Sequence, residues 1–208
     1  MSRLIIPTLF DESSNSNKNL LPYDGIVNYY GTIFDSKESQ VLFQSLLTTI
    51  LWEHDVVVMF GKKIITKRKV AWYGDDPFNY TYSQVKKTAL PWNDSLIIIK
   101  KKIESLSGET YNSCLLNLYH DGNEGMGWHT DDEKELKKDG AIASISLGVS
   151  RKFSFKHKST QEKVDLILEN GSMLVMKGTT QTHWLHRLPP STKIKDPRIN
   201  LTFRTIIT

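Results

Sequence analysis

The sequence predicts an α+β fold that is mostly β, a double-sheet jelly roll with helices covering one sheet. Three observations predict it. Two stretches of helical periodicity both fall before residue 110. Beyond that point, short runs rich in β-branched and aromatic residues follow one another, separated by polar turns. No internal repeat or low-complexity tract interrupts the series. At 208 residues the chain can bury a sizeable core in one domain.

The segment "DESSNSNKN" (11–19) is polar and loop-like, so residues 1–20 read as an arm and 21–208 as the single domain. From Asp35 the pattern turns helical. Asp35 and Glu38 have capping-box spacing, and Leu42, Leu46 and Ile50 recur on one face of a helix expected to end near Trp52. A second helix reads from about Asn93 to Leu106, with Leu96, Ile99, Ile103 and Leu106 on one stripe, Lys100, Lys101 and Lys102 on the wet face, and Gly108 as its stop.

The strands follow. "AIASISLG" (141–148) alternates Ile142, Ser144 and Ser146 against Ala143, Ile145 and Leu147. "KFSFKH" alternates Phe153 and Phe155 against polar residues, and "VDLILEN", "SMLVMKG", "THWLHRL" and "RINLTFRTII" complete the set.

Composition narrows the function classes. There are 27 Lys and Arg against 23 Asp and Glu, a formal charge of +4 that does not by itself identify a nucleic-acid binder. The single cysteine, Cys114 in "CLLNLY", excludes an internal disulfide and a thiolate cluster and reads as a buried small hydrophobe. The start, "MSRLIIPTLFDESS", has a short apolar stretch broken by Pro7 and no small-residue cleavage pattern. No run approaches the roughly 18 apolar residues of a membrane span. A soluble intracellular monomer with no membrane partner is expected.

"GWHTDDE" (127–133) is either a solvated acidic turn or a metal site. His129 and Asp131 are two apart, so on an extended chain both side chains address one ion. A third ligand would make a 2-His-1-carboxylate facial triad, which leaves adjacent positions open on Fe(II). His183 and His186 are the candidates; three apart, they point to opposite faces of a strand, so only one should serve. In "DPRINLTFRTI", Arg198 and Arg204 share a strand face with Asn200 and Thr202, opposite Ile199, Leu201 and Phe203. A polar face inside an apolar strand is costly unless it meets anions, and a two-carboxylate cosubstrate would satisfy it. The plainer reading is an edge strand with solvated arginines.

"NLYHDGNEGMGWHTDDE", "THWLHRLPP" and "PRINLTFR", in this order and spacing, resemble the AlkB family of Fe(II)- and 2-oxoglutarate-dependent dioxygenases, and especially its duplex-DNA alkylation-repair members. The resemblance runs from about residue 55 to the C-terminus and implies a double-stranded β-helix core over about 110–208 with a nucleotide-recognition lid over about 55–90. It implies His129, Asp131 and His186 as metal ligands, since the family's distal histidine precedes the first arginine by twelve residues. Arg204 matches the arginine on the distal carboxylate of 2-oxoglutarate, Arg198 the one near its metal-chelating end, and Asn117, Tyr119 and Asn200 further cosubstrate contacts. Asp132, with Glu133 beside it, matches the acid near the flipped base.

The implied reaction uses Fe(II), 2-oxoglutarate and O₂ to hydroxylate an N-methyl group on 1-methyladenine or 3-methylcytosine, with release of formaldehyde. Met59-Phe60-Gly61 resembles the finger that fills the gap left by a flipped base, and Lys62, Lys63, Lys67, Arg68 and Lys69 are expected to hold phosphates around it. An ordinary hairpin with Phe60 at its tip and a lysine-rich wet face is the plainer alternative. "AWYGDDPFNYTYS" resembles the lid, with Tyr80 and Tyr82 as base contacts. The expected partner is alkylated duplex DNA, with single-stranded DNA or RNA as further substrates. An RNA demethylase of the same family, a 2-oxoglutarate oxygenase of proteins or small molecules, and an inactive binding module are the rival readings. The compact length points to a bacterial cytoplasm, or to the nucleus if the source is eukaryotic.

Overall fold

In the computed structural model, which describes residues 3–5, 18–59, 62–82 and 85–207, the side chains of 3–5, 57–59, 62–63, 79–82 and 85–87 lie outside the description. The elements are β1 (Arg3–Ile5), β2 (Ile26–Thr32), α1 (Ser36–Thr49), β3 (Glu53–Met59), β4 (Lys62–Gly74), β5 (Asn79–Tyr82), β6 (Val85–Thr88), β7 (Leu90–Pro91), α2 (Asp94–Ser107), β8 (Ser113–Tyr119), β9 (Met126–His129), β10 (Ile142–Gly148), β11 (Arg151–His157), β12 (Lys163–Leu168), β13 (Ser172–Lys177), α3 (Thr180–His183), β14 (Trp184–Leu188) and β15 (Arg198–Arg204).

Both expected helices form, for the local reasons their sequences give. Asp35 accepts from the Glu38 amide at 2.8 Å while Glu38 accepts from the Asp35 amide at 2.9 Å, closing the box that starts α1. Asn93 caps α2 through the Leu96 amide, and Gly108 stops it in the left-handed conformation at φ 70°, which costs glycine nothing. Leu46, Leu96, Ile99 and Ile103 are fully buried, but Leu106 is 46% exposed, so the stripe of α2 is one residue shorter than its periodicity suggests.

The strands make two facing sheets. The larger has the order β2-β13-β10-β15-β8-β4-β3, with β7 beside β4; the smaller has the order β1-β12-β11-β14-β9; β5 and β6 form a separate ribbon. The mostly antiparallel pairing and two-layer arrangement are those of a jelly roll. Strand β10 lies inside the larger sheet and is buried on both faces: Ala143, Ile145 and Leu147 join α1 and α2 in one core, while Ile142 joins a second core between the sheets.

Part of the arm touches the domain: Arg3–Ile5 pairs in parallel with β12, and the Asn19 side chain accepts from the Leu21 and Val27 amides. One expectation changes. "THWLHRL" is not one continuous strand: Thr180–His183 is a helical turn and pairing begins at Trp184, so His183 and His186 are not opposite faces of a single strand.

Candidate active site

Strands β15, β8 and β10 set the floor of the cavity through register. Asn200 pairs with Asn117 and with Ser146, Arg198 with Tyr119, and Thr202 with Ser144, so alternation turns Arg198, Asn200, Thr202 and Arg204 toward the space between the sheets. These side chains line a cavity of about 140 Å³ together with His129, Asp131 and His186. The anticipated polar face is therefore buried rather than a solvated edge.

His129 ends β9 and His186 lies directly opposite it on β14, which brings their ring centroids to 4.2 Å. Asp131, two residues past β9, completes the group. Its Oδ1 is 4.0 Å from His129 Nε2 and its Oδ2 is 3.9 Å from His186 Nε2, and the donor atoms of all three residues fall within 4.8 Å of one another. The donor chemistry fits a divalent metal. His129 Nδ1 bonds the Gly127 carbonyl at 2.8 Å, which makes that nitrogen the N–H and leaves the Nε2 lone pair for a metal. His186 is held by packing against Phe153 and Phe155, and burial pushes its imidazole down to about 3, so the ring is in the neutral form that ligates. Burial alone would raise Asp131, but Arg204 and the two imidazoles outweigh it and keep the carboxylate ionised. The Asp131 amide donates to the Gln181 side chain on α3 at 3.0 Å, which fixes the loop carrying it.

The two arginines stand at opposite ends of the polar face of β15. Arg204 Nη2 donates to Asp131 Oδ1 at 3.0 Å, which puts this guanidinium beside the two histidines and the aspartate. Arg198 lies away from the imidazoles, 2% exposed, with Nη2 donating to Ser146 Oγ at 2.8 Å and Cζ 5.6 Å from the Tyr119 ring. Burial pulls it down to about 10, Tyr119 opposing and Arg151 adding to the fall. Among the described residues no carboxylate reaches it, and its Nε is buried without a partner. Such a cation fits an anionic ligand. The placement follows from register, since the last residue of β15, not the first, reaches the loop after β9.

Of the expected substrate residues, Glu133 lines the cavity, whereas Asp132 is exposed and faces a neighbouring depression. Arg68 is a correction: it is 6% exposed, ion-paired with Asp55, bonded to Met126 Sδ at 3.2 Å and part of the cavity wall, so it is not free to hold phosphates outside. Lys67 is exposed as expected. Phe60 and Gly61 lie outside the described residues, as do the side chains of Met59, Tyr80, Tyr82, Lys62 and Lys63. Trp72 is buried and lines the cavity.

Sequence reasoning missed three supports. Ser146 holds Arg198, and Ser144 accepts from the Asn200 side chain at 2.9 Å; their alternation in "AIASISLG" carried the signal. Asp55 is 2% exposed inside an apolar run, and nothing in the sequence pairs it with Arg68.

A second group, Asp24, His157 and His183, also has metal-like spacing. His157 Nδ1 accepts from the Thr160 amide at 3.1 Å, so Nε2 carries the ring proton toward Asp24 at 3.4 Å and has no lone pair to give. This group is a turn support.

A jelly roll that gathers two histidines, an aspartate and a buried arginine around one cavity has the arrangement of a mononuclear iron oxygenase. The chain belongs to the 2OG-Fe(II) oxygenase superfamily, whose family model matches residues 26–204, and within it to the AlkB family. It is 37% identical over 195 residues to the DNA oxidative demethylase ALKBH2 of Homo sapiens, covering 88% of this chain and 75% of that protein. To the alpha-ketoglutarate-dependent dioxygenase alkB homolog 3 of Bos taurus it is 36% identical over 182 residues, covering 83% and 63%. The solved structure of OsALKBH1 superposes with a TM-score of 0.61 over 89% of this chain and 99% of that one, at 16% identity, and so shares the fold. Membership brings Fe(II), 2-oxoglutarate and O₂ as cofactor and cosubstrates. Among the described residues no helix is long and apolar enough to cross a membrane.

Proposed function

We propose that the protein is an oxidative demethylase that repairs N-alkylated bases in DNA, acting where DNA is found, in cytoplasm or nucleus. The observation that carries the reading is Arg198, a buried guanidinium without a carboxylate partner among the described residues, in the same cavity as His129, Asp131 and His186. Relatives named as DNA oxidative demethylases support the substrate class.

His129 Nε2, His186 Nε2 and an Asp131 oxygen hold Fe(II). Arg198 takes the far carboxylate of 2-oxoglutarate, helped by Tyr119 and by Asn117 and Asn200 along the floor. Arg204 neutralises charge at the chelating end and steadies Asp131. When bound, iron and 2-oxoglutarate supply an O₂-dependent oxidation of the N-methyl carbon, which then leaves as formaldehyde. Val70, Trp72, Leu115 and Met126 form the apolar wall that excludes water from the reacting methyl group. Glu133, with Asp132 near the mouth, faces the polar edge of the base, and Met59-Phe60-Gly61 with Tyr80 and Tyr82 serves entry and stacking.

The test is formaldehyde release from matched oligonucleotides bearing 1-methyladenine or 3-methylcytosine, as single-stranded DNA, duplex DNA and RNA, with Fe(II), 2-oxoglutarate and ascorbate. Demethylation strongest on DNA is expected. Cosubstrate turnover without demethylation of any oligonucleotide would sink the substrate assignment and leave the iron site standing. Phe60→Ala is expected to lose duplex activity and keep single-strand activity; equal loss on both would remove the wedge role.

A further inference from the structure

Arg151, the first residue of β11, is 1% exposed and forms no ion pair among the described residues. Its guanidinium is caged by backbone carbonyls instead. Nη1 donates to Asp121 at 3.3 Å, and Nη2 reaches Gly122 at 3.4 Å, Glu124 at 2.8 Å and Pro189 at 3.1 Å. These carbonyls come from two loops. Residues 120–125 join β8 to β9, and residues 189–197 join β14 to β15. The loops also bond each other, Gly122 N to Ile194 O at 3.0 Å and Ser191 N to Gly122 O at 2.6 Å. A Cβ on Gly122 would stand 2.1 Å from the Ser191 carbonyl, so the junction has no slack.

The four strands that meet here carry Tyr119, His129, His186 and Arg198. Arg151 Cζ lies 6.0 Å from the Tyr119 ring centroid, and Arg198 Cζ lies 5.6 Å from the same ring. Two buried cations thus share one aromatic ring, with no carboxylate in ion-pair range of either among the described residues. The Asp121 and Glu124 carboxylates favour the Arg151 charge from longer range, so what the shared ring transmits is position: it links the Arg151 cage to the place Arg198 occupies.

We infer that Arg151 is a positioning residue for 2-oxoglutarate: by caging the two loops it holds Tyr119, and through it Arg198, against the far carboxylate of the cosubstrate. The inference rests on the reading that Arg198 takes that carboxylate. A lysine keeps the charge but is a point donor on a flexible stem and cannot span carbonyls from both loops.

The experiment is calorimetric binding of 2-oxoglutarate and of 2-oxobutyrate, a 2-oxo acid without the far carboxylate, to Mn(II)-loaded full-length protein. Arg151→Lys is expected to weaken 2-oxoglutarate by about tenfold and leave 2-oxobutyrate within about twofold. Equal weakening of both acids marks a merely structural role and overturns the inference, as does undiminished binding of 2-oxoglutarate. Gly122→Ala strains the same junction from the loop side and is expected to show the same split, which keeps the test available if Arg151→Lys does not fold. In a double-mutant cycle, Arg151→Lys and Tyr119→Leu should be non-additive for 2-oxoglutarate; strict additivity removes Tyr119 from the path. If wild-type protein fails to prefer 2-oxoglutarate over 2-oxobutyrate, the role of Arg198 itself is wrong, and the inference falls with it.

Discussion

Arg204, the last residue of β15, donates to Asp131 Oδ1 at 3.0 Å, while Arg198 at the strand's other end donates to Ser146 and lies over the Tyr119 ring, with no carboxylate in ion-pair range among the described residues. One strand therefore delivers one arginine to each end of the cavity, and substitutions at the two should separate. Arg198→Met removes the charge-assisted bonds to the far carboxylate and should raise the KM for 2-oxoglutarate by about 10- to 100-fold. Arg204→Met should act mainly on kcat, because it loosens Asp131. Steady-state kinetics with 2-oxoglutarate as the varied reactant checks both; a larger KM effect at Arg204 would restore the opposite assignment.

Asp131→Asn keeps size and removes charge at a position 7% exposed. The neutral amide binds Fe(II) poorly, and Arg204 loses its acceptor. Metal content after dialysis against Fe(II) or Mn(II) should fall steeply, with turnover lost and circular dichroism unchanged. Full retention of metal in the variant would remove Asp131 from the ligand set.

How much of this was legible in sequence depended on range. The cap of α1 is a pair of bonds between residues three apart, so spacing revealed it, and Gly108 marked the stop of α2, whereas the Asn93 cap of α2 went unread. Strand alternation revealed the polar face of β15, because register does not alter which residues share a face. What pairs with each end of that face is set by long-range geometry. Arg204 meets Asp131 across 73 residues, and no local pattern distinguishes it from Arg198. His183 was misplaced because the four-residue helical turn Thr180–His183, which takes the first two residues of "THWLHRL", leaves no periodicity of its own. Asp55 could not be matched with Arg68 because their pairing depends on the β3–β4 hairpin, whose register shifts between His54 and Val56.

Glu133 and Asp132 are adjacent, yet only Glu133 lines the main cavity. Glu133→Gln should therefore reduce kcat/KM for a methylated oligonucleotide by about tenfold, with Asp132→Asn within about twofold. The comparison is made on 1-methyladenine and 3-methylcytosine separately, since their exocyclic edges differ. A dominant effect at Asp132 would place the base edge at the mouth.

The end of α2 offers a test of the packing. Leu46 is fully buried between α1 and the sheet, and Leu106 is 46% exposed on the last turn of α2. Leu46→Ala should cost about 2–5 kcal/mol in urea unfolding. Leu106→Ala should stay within about 0.5 kcal/mol, despite its apparent place on the same kind of apolar stripe.

Tyr29 on β2 ties the edge of the larger sheet to the turn after β12, its hydroxyl donating to Glu169 at 3.1 Å. Burial pushes its phenol up from 10.0 to about 12, Ser172 and the Glu169 amide opposing and the Glu169 carboxylate reinforcing. In the window between those values the unfolded chain loses a proton that the folded one keeps, so stability is intact below the lower value and declines as pH rises through the upper. Tyr111 is raised by burial as well and contributes in the same direction. Tyr29→Phe should accordingly flatten, without abolishing, the fall in urea midpoint between about pH 9 and about pH 12. An unchanged slope would mean that Tyr29 ionises in the folded protein as freely as in the unfolded chain.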